Sequence, residues 1–239
     1  FIVLIGTVLF SPFFRMENVI ISGNYQLTDQ EVLALTGMEY GDHLFTIDKS
    51  REKEIIRENP YISDIRIRAS YPSTLKIEVS ERRKIAYIKT PDGYIAIDDE
   101  GTVLEFSSDY NESVHPVICG LDIDHVIIGE KLDIQDDIKY QKMIIVLGAV
   151  LAADMNSMRA DHYSFFDSLL EVRIIPSGYI FLKVRLPEGS ALQVKLADID
   201  SISDDMHWLM YSIEEDAFYN APPGALDMTG DKYIYREYM

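Results

Sequence analysis

The feature that most constrains this chain is a pair of strictly alternating stretches joined by three turn residues. Ile65, Ile67 and Ala69 alternate with Arg66, Arg68 and Ser70, and Leu75, Ile77 and Val79 alternate with Lys76, Glu78 and Ser80, with Tyr71-Pro72-Ser73 between them. Successive strand side chains point to opposite faces, so this period of two predicts a β-hairpin with one buried and one solvated face. A buried face needs a cover, and the preceding residues supply one. Glu17-Asn18-Val19-Ile20-Ile21-Ser22 reads as a short β-branched strand ending at the turn Gly23-Asn24. Thr28 and Glu31 then form a capping box for a helix whose apolar residues are Val32, Leu33 and Leu35, and Gly37 ends it. A second helix, capped by Asp48 or Ser50, turns Ile55 and Ile56 inward and stops at Asn59-Pro60, where proline lacks an amide and disfavours a helical predecessor. The order β-α-α-β-β predicts two helices packed on a three-stranded sheet.

The chain of 239 residues is longer than this module needs, and its charge changes where the module ends. Residues 15 to 90 carry 12 Lys and Arg against 12 Asp and Glu, whereas residues 91 to 239 carry 10 against 28. The whole formal charge of −18 thus belongs to a second module. Phosphate binding relies on clustered cations that release counterions, so an excess of this sign argues against a nucleic-acid partner. Hydrophobic residues at 47% give enough apolar mass for a core. The lone Cys119 allows no intrachain disulfide and reads as a small buried hydrophobe.

The ten residues FIVLIGTVLF are apolar and uncharged. Ten helical residues reach about 15 Å against a hydrocarbon core of about 30 Å. Phe1, Ile2, Val3, Leu4, Ile5, Val8, Leu9 and Phe10 are therefore expected to be the outer part of a truncated transmembrane anchor, closed by Ser11-Pro12. A cleaved secretory signal would want small residues where Phe13 and Phe14 stand, and a buried core element is the remaining alternative.

Residues 85 to 239 read as a mainly β module with two helices. Tyr94–Ile97 and Thr102–Phe106 flank the turn Asp98-Asp99-Glu100-Gly101. Asp136 or Asp137 caps a helix whose apolar stretch, Met143 to Ala153, is too short to span a bilayer. Leu169–Ile175 and Tyr179–Arg185 pair around Pro176-Ser177-Gly178, and Ala191–Leu196 adds a third strand. Ser201 or Ser203 opens a helix to about Asp216, and Ala221-Pro222-Pro223-Gly224 breaks the chain before the last strand. No repeat of 20 to 50 residues recurs.

Catalytic and cofactor chemistry lacks its constellations. His43, His115, His125, His162 and His207 form no HxxxH or HExxH pair, and Asp122-Ile123-Asp124-His125 lacks the oxygen ligands and central glycine of a calcium loop. G-x-S-x-G, P-loop and G-x-G-x-x-G patterns are missing, so neither nucleophilic hydrolysis nor nucleotide binding has its cradle. No catalytic residue, metal, cofactor or small-molecule ligand is expected. Arg82-Arg83-Lys84 reads as a solvated junction loop, the alternative being a contact to the acidic module. The last strand is different, because Tyr and Arg dominate interface hot spots and an edge strand has unpaired backbone groups. Lys232, Tyr233, Ile234, Tyr235, Arg236 and Tyr238 are there, and they serve either a partner or only their own sheet.

Gly23-Asn24, Thr28, Glu31-Val32-Leu33, Thr36-Gly37, Gly41, Leu44-Phe45, Ile47-Asp48, Asn59-Pro60-Tyr61-Ile62, Tyr71-Pro72, Leu75 and Glu81-Arg82 together resemble the POTRA domain of the FtsQ/DivIB bacterial cell-division family. The likeness continues through Ile85-Ala86, Gly93 to Asp98, Gly101 to Leu104, Ala225 to Met228 and Tyr233 to Tyr238. Tyr61 stands where the family often has Trp, and Lys84 where it often has Pro. The resemblance implies an α+β chain: residues 1–14 of an anchor, 15–82 as POTRA, and 83–239 as the family's β domain. It implies a non-enzymatic divisome scaffold on the outer side of the cell membrane, single-pass with its N-terminus inside, at the septum. Its implied partners are FtsB/DivIC-like and FtsL-like bitopic proteins, which add a segment to the C-terminal sheet edge, and septal wall-synthesis proteins. That favours the interface reading of the last strand. The glycosylation pattern Asn111-Glu112-Ser113 is then coincidence. The competing identity is a POTRA-bearing component of protein translocation or outer-membrane assembly, for which the remaining residues offer no barrel.

Overall fold

A computed structural model describes residues 11–108, 115–134, 136–156 and 163–238. Phe1–Phe10, Asn111-Glu112-Ser113 and His162 lie outside them. The chain divides into two units, Phe1–Arg83 and Lys84–Met239.

In the first unit, β1 (Asn18–Ser22), α1 (Asp29–Thr36), α2 (Ser50–Glu58), β2 (Ile62–Ser70) and β3 (Thr74–Glu81) follow one another. The sheet order is β1-β3-β2, with β1 parallel and β2 antiparallel to β3. The alternating pattern holds: Ile65, Ile67, Leu75, Ile77 and Val79 are buried with Val32 and Ile55 from the helices. The capping box is closed, with the Glu31 amide on Thr28 Oγ1 at 3.3 Å and the Thr28 amide on Glu31 Oε2 at 2.8 Å. At α2 the cap position is Lys49, while the Asp48 carboxylate takes the Ser50 amide at 2.8 Å and closes the turn before the helix. Gly23 sits at φ 85°, and a Cβ there would run into the Val79 carbonyl, so this turn needs glycine.

The basic triplet is a loop that is only partly solvated, with Arg83 exposed and Arg82 and Lys84 half-buried. The Arg82 guanidinium donates to the Ile62 carbonyl at 2.7 Å, and Arg83 stacks 4.3 Å over the Tyr25 ring. Lys84 is paired with Glu105 and donates to the Tyr87 hydroxyl at 3.0 Å. Each cation has found a partner that only the fold brings near.

The second unit begins with β4 (Ala86–Thr90), β5 (Gly93–Ile97), β6 (Val103–Ser107), β7 (Val117–Cys119), β8 (Ile123–His125) and β9 (Asp133–Ile134). Then come α3 (Asp137–Met155), a single turn α4 (Phe165–Ser168), β10 (Leu169–Ile174), β11 (Ile180–Arg185), β12 (Ala191–Leu196), α5 (Ile202–Glu214), β13 (Gly224–Met228) and β14 (Ile234–Glu237). Nine strands form one mixed sheet in the order β14-β13-β12-β11-β10-β7-β4-β5-β6, and β8 and β9 pair separately. The fold is α+β, as the sequence indicated. The expected last strand is two, β13 and β14, because Thr229 to Asp231 turns the chain back on itself. α4 was not foreseen, and four residues leave too little periodicity to read.

α3 and α5 pack on the sheet. Met143, Val146, Val150, Met206 and Leu209 share a core with Val172, Leu182, Val194 and Leu226. Asp136 caps α3 by accepting the Lys139 amide at 3.1 Å. No helix among the described residues is long and apolar enough to cross a membrane.

Candidate functional site at the terminal sheet edge

β14 ends the nine-stranded sheet and pairs antiparallel with β13, matching Ala225 to Arg236, Leu226 to Tyr235 and Asp227 to Ile234. The Tyr238 amide donates to the Pro223 carbonyl at 2.9 Å. Amide direction alternates along a strand, so the amides of Ile234 and Arg236 also face β13. Those of Tyr233, Tyr235 and Glu237 face away from the sheet.

Side chains sort the other way. Tyr233 turns toward α5: its ring lies 4.6 Å from Trp208, and its hydroxyl donates to Asp205 at 2.5 Å. Asp205 is buried and also accepts the Ser201 hydroxyl at 2.8 Å. The bond to Asp205, with burial, pushes the Tyr233 phenol up to about 12. Tyr235 packs 6.0 Å from Phe218 and donates to the Pro222 carbonyl. Burial raises its phenol, as it does that of Tyr238. Ile234, Arg236 and Tyr238 take the opposite parity and are exposed, as is Lys232. Tyr233 thus holds the strand to α5 and Tyr235 holds it to the segment that follows that helix, and the exposed face of opposite parity is Ile234, Arg236 and Tyr238. Arg236 lies 3.8 Å from the Asp227 carboxylate, which the Thr229 hydroxyl and amide hold below the usual carboxylate range.

Gly224 lets the two strands close. A Cβ at this position would stand 2.5 Å from the Arg236 carbonyl oxygen and 2.7 Å from the Tyr235 ring. Trp208, the one tryptophan of the chain, was missed by sequence reasoning. It is 40% exposed on α5 beside Tyr233, and Tyr211 follows three residues on. The signal that would have found it is helical spacing, since Met206, Leu209, Met210 and Ile213 take the buried face and leave positions 208 and 211 outside.

Two other sheet edges are partly occupied. In the first unit, the outward Ile67 amide of β2 donates to the Glu52 carboxylate at 2.6 Å. In the second, β6 is covered at its start: the Val103 amide reaches the Glu130 carbonyl at 2.9 Å, and its carbonyl takes the Gly129 amide at 2.8 Å. Natural sheets cover edges in this way to prevent unwanted pairing, and β14 lacks such a cover among the described residues.

Four other titratable groups sit in local structural settings. His207 meets Asn156 at 3.0 Å and the Ser203 carbonyl at 2.6 Å. Burial lowers the imidazole of His115. Asp98 accepts the amides of its own turn at Glu100 and Thr102, at 3.0 and 2.7 Å. Cys119 is half-buried rather than buried, because β7 turns its thiol to the sheet face opposite Ile118, where burial and Glu171 push its pKa up. Among the described residues, no group of three His, Cys, Asp or Glu is placed to hold a metal.

Residues 14–82 match the POTRA domain of FtsQ type. Over 240 residues the chain is 24% identical to the cell division protein DivIB of Clostridium botulinum strain Loch Maree, covering 98% of this chain and 87% of that protein. Along nearly its whole length the chain is thus similar to FtsQ/DivIB cell-division proteins. The cell division protein FtsQ of Bradyrhizobium diazoefficiens is 35% identical over 92 residues, covering 38% of this chain and 27% of that protein. The solved major extracytoplasmic domain of DivIB from Geobacillus stearothermophilus shares 16% identity, covers 57% of this chain and 96% of its own, and superposes with a TM-score of 0.30. The POTRA match falls within the first unit, Phe1–Arg83.

Proposed function

We propose that this FtsQ/DivIB-type chain is a non-enzymatic scaffold of the divisome that captures a partner strand on the free edge of β14. The observation that carries the reading is the outward direction of the Tyr233, Tyr235 and Glu237 amides on a terminal strand whose own side chains are already fixed by Asp205 and Pro222. A strand held from behind is rigid before it binds, which lowers the ordering cost of association. An incoming segment would gain main-chain hydrogen bonds from the edge and selectivity from Ile234, Arg236 and Tyr238.

The partners we assign are the FtsB/DivIC-like and FtsL-like bitopic proteins, through which septal peptidoglycan synthesis is recruited. Residues 1–14 are the C-terminal part of a single-pass membrane anchor with the N-terminus inside, residues 15–82 are the POTRA domain, and residues 83–239 are the β domain outside the membrane at the septum. The span is carried by the uncharged run Phe1–Phe10.

Glu237→Pro tests the edge. Its amide faces outward and its side chain is exposed, so proline there removes an edge donor while leaving the β13 ladder intact. Titration calorimetry of the full chain against a DivIC-like ectodomain should show binding weakened at least about tenfold, which is about 1.4 kcal/mol. An unchanged dissociation constant in a variant that melts like the parent would move the partner site off β14.

A further inference from the structure

One cluster in the first unit plays no part in partner capture. Phe13, Phe14, Phe45 and Tyr71 come from three segments: the turn after Pro12, the turn after α1, and the β2–β3 hairpin. Phe14 is the hub, with ring centroids 5.3 Å from Phe13, 5.1 Å from Phe45 and 5.9 Å from Tyr71, and Phe45 and Tyr71 are 4.9 Å apart. Three of the four face solvent, with Phe13 65%, Tyr71 54% and Phe45 43% exposed. A contiguous aromatic patch of this kind is rare on a surface that meets only water.

Its position along the chain says what covers it. Phe13 follows the apolar run Phe1–Phe10 by three residues. Three residues reach at most about 11 Å when extended, and Pro12–Phe14 is a 3-10 turn, which rises only about 2 Å per residue. The interfacial zone of a leaflet is roughly 5 to 8 Å deep. Rings on so short a tether lie at headgroup depth, where aromatic side chains are favoured. Exposed Arg15 beside them adds the charge that anionic headgroups attract.

We infer that this patch seats the POTRA domain directly on the lipid surface, with Phe13, Phe45 and Tyr71 in the headgroup region. The inference rests on the reading of residues 1–10 as a membrane span. It also fixes which end of the unit faces the lipid. Phe14 precedes β1 and Tyr71 precedes β3, and these two strands run parallel. Tyr25 follows β1 and packs under Arg83, beyond the end of β3, so it marks the opposite end of the sheet. The chain leaves the unit there, away from the bilayer.

The test places one tryptophan at a time into the full chain carrying Trp208→Phe, reconstituted in vesicles with and without lipids brominated near the glycerol end of the acyl chain. Phe45→Trp should lose at least about half its emission to the brominated lipid, with a blue-shifted maximum, and Tyr25→Trp should lose none. Tyr71→Trp repeats the measurement at a second position, should Phe45→Trp melt below the parent. Protein that stays in the alkaline carbonate pellet but shows no quenching at position 45 or 71 would overturn the seating and leave the span intact. Shielding of position 45 from aqueous iodide without bromolipid quenching would give the patch to another protein or a second copy, which also overturns it. Full-length protein recovered in the carbonate supernatant would remove the span and the seating together. Equal quenching at positions 25 and 45 would refute the orientation.

Discussion

The Tyr233 hydroxyl and the Asp205 carboxylate meet at 2.5 Å, joining the terminal strand to the buried side of α5. The bond needs the neutral phenol, and it holds the Tyr233 pKa up to about 12 against an ordinary value of 10. Its contribution to stability is therefore complete below pH 10 and is lost as the pH rises toward 12. Tyr233→Phe should lower stability by about 1 kcal/mol at neutral pH, because Asp205 keeps only Ser201. It should also flatten the loss between pH 10 and 12, measured by urea melts across that window. A parent and variant that lose stability in parallel over that range would show that the bond does not form.

Amide direction along β14 predicts a split between neighbouring prolines. Arg236→Pro deletes a donor to β13, and Glu237→Pro deletes one that faces away from the sheet. The first should cost at least about 2 kcal/mol of stability and the second under about 0.5 kcal/mol. On the open face, Ile234→Ala with Tyr238→Ala should weaken binding of a DivIC-like ectodomain by roughly 2 kcal/mol, about a 30-fold change, with the fold unchanged. Tyr233→Ala and Tyr235→Ala should instead lower the melting temperature first. A melt series alongside calorimetry separates these outcomes.

In the first unit, Ile65, Ile67, Leu75 and Ile77 are fully packed, and each change to alanine should cost about 2 to 4 kcal/mol. Exposed Arg66, Arg68 and Lys76 should each cost under about 0.5 kcal/mol. Arg82 breaks that rule for surface cations, since its guanidinium holds the Ile62 carbonyl, and Arg82→Ala should cost about 1 to 2 kcal/mol. Chemical denaturation of the full chain, followed by a probe in the first unit, measures all three groups.

Where the information was local, the sequence was legible. The alternation in residues 65 to 79 fixes the burial of β2 and β3, and Thr28 with Glu31 fixes the start of α1. A period of two also puts Tyr233 and Tyr235 on one face of the last strand, but periodicity does not say which face is already covered. That depends on α5, some 30 residues earlier, whose Asp205 and Trp208 receive Tyr233. The partners of Arg82, Arg83 and Lys84 were hidden for the same reason, being 20, 58 and 21 residues away in sequence. The aromatic patch is the sharpest case. Phe13, Phe45 and Tyr71 are unremarkable one at a time; the parallel pairing of β1 with β3 brings the turns of Phe13 and Tyr71 to one end of the sheet, and the turn between α1 and α2 adds Phe45.

Gly224 is the position where the edge can be disturbed without touching a side chain that a partner would meet. Its Cα faces the Arg236 carbonyl and the Tyr235 ring across the β13–β14 pair, and a methyl group would come within 2.5 and 2.7 Å of them. Neither neighbour is free to yield, since the carbonyl belongs to the ladder and the Tyr235 hydroxyl is held by Pro222. Gly224→Ala should therefore push β14 away from β13 and cost about 1 to 3 kcal/mol, the range of overpacking. In a unit of this size that is a fall in melting temperature of roughly 3 to 10 °C. Gly230 sits in the turn between the same strands with open space where its Cβ would lie, so Gly230→Ala is the control and should melt within about 1 °C of the parent. Binding of the DivIC-like ectodomain should weaken for Gly224→Ala even where the rest of the domain stays folded, because the displaced strand no longer aims its outward amides from a fixed position. Full affinity in a Gly224→Ala protein that melts below the parent would separate the edge from the partner site.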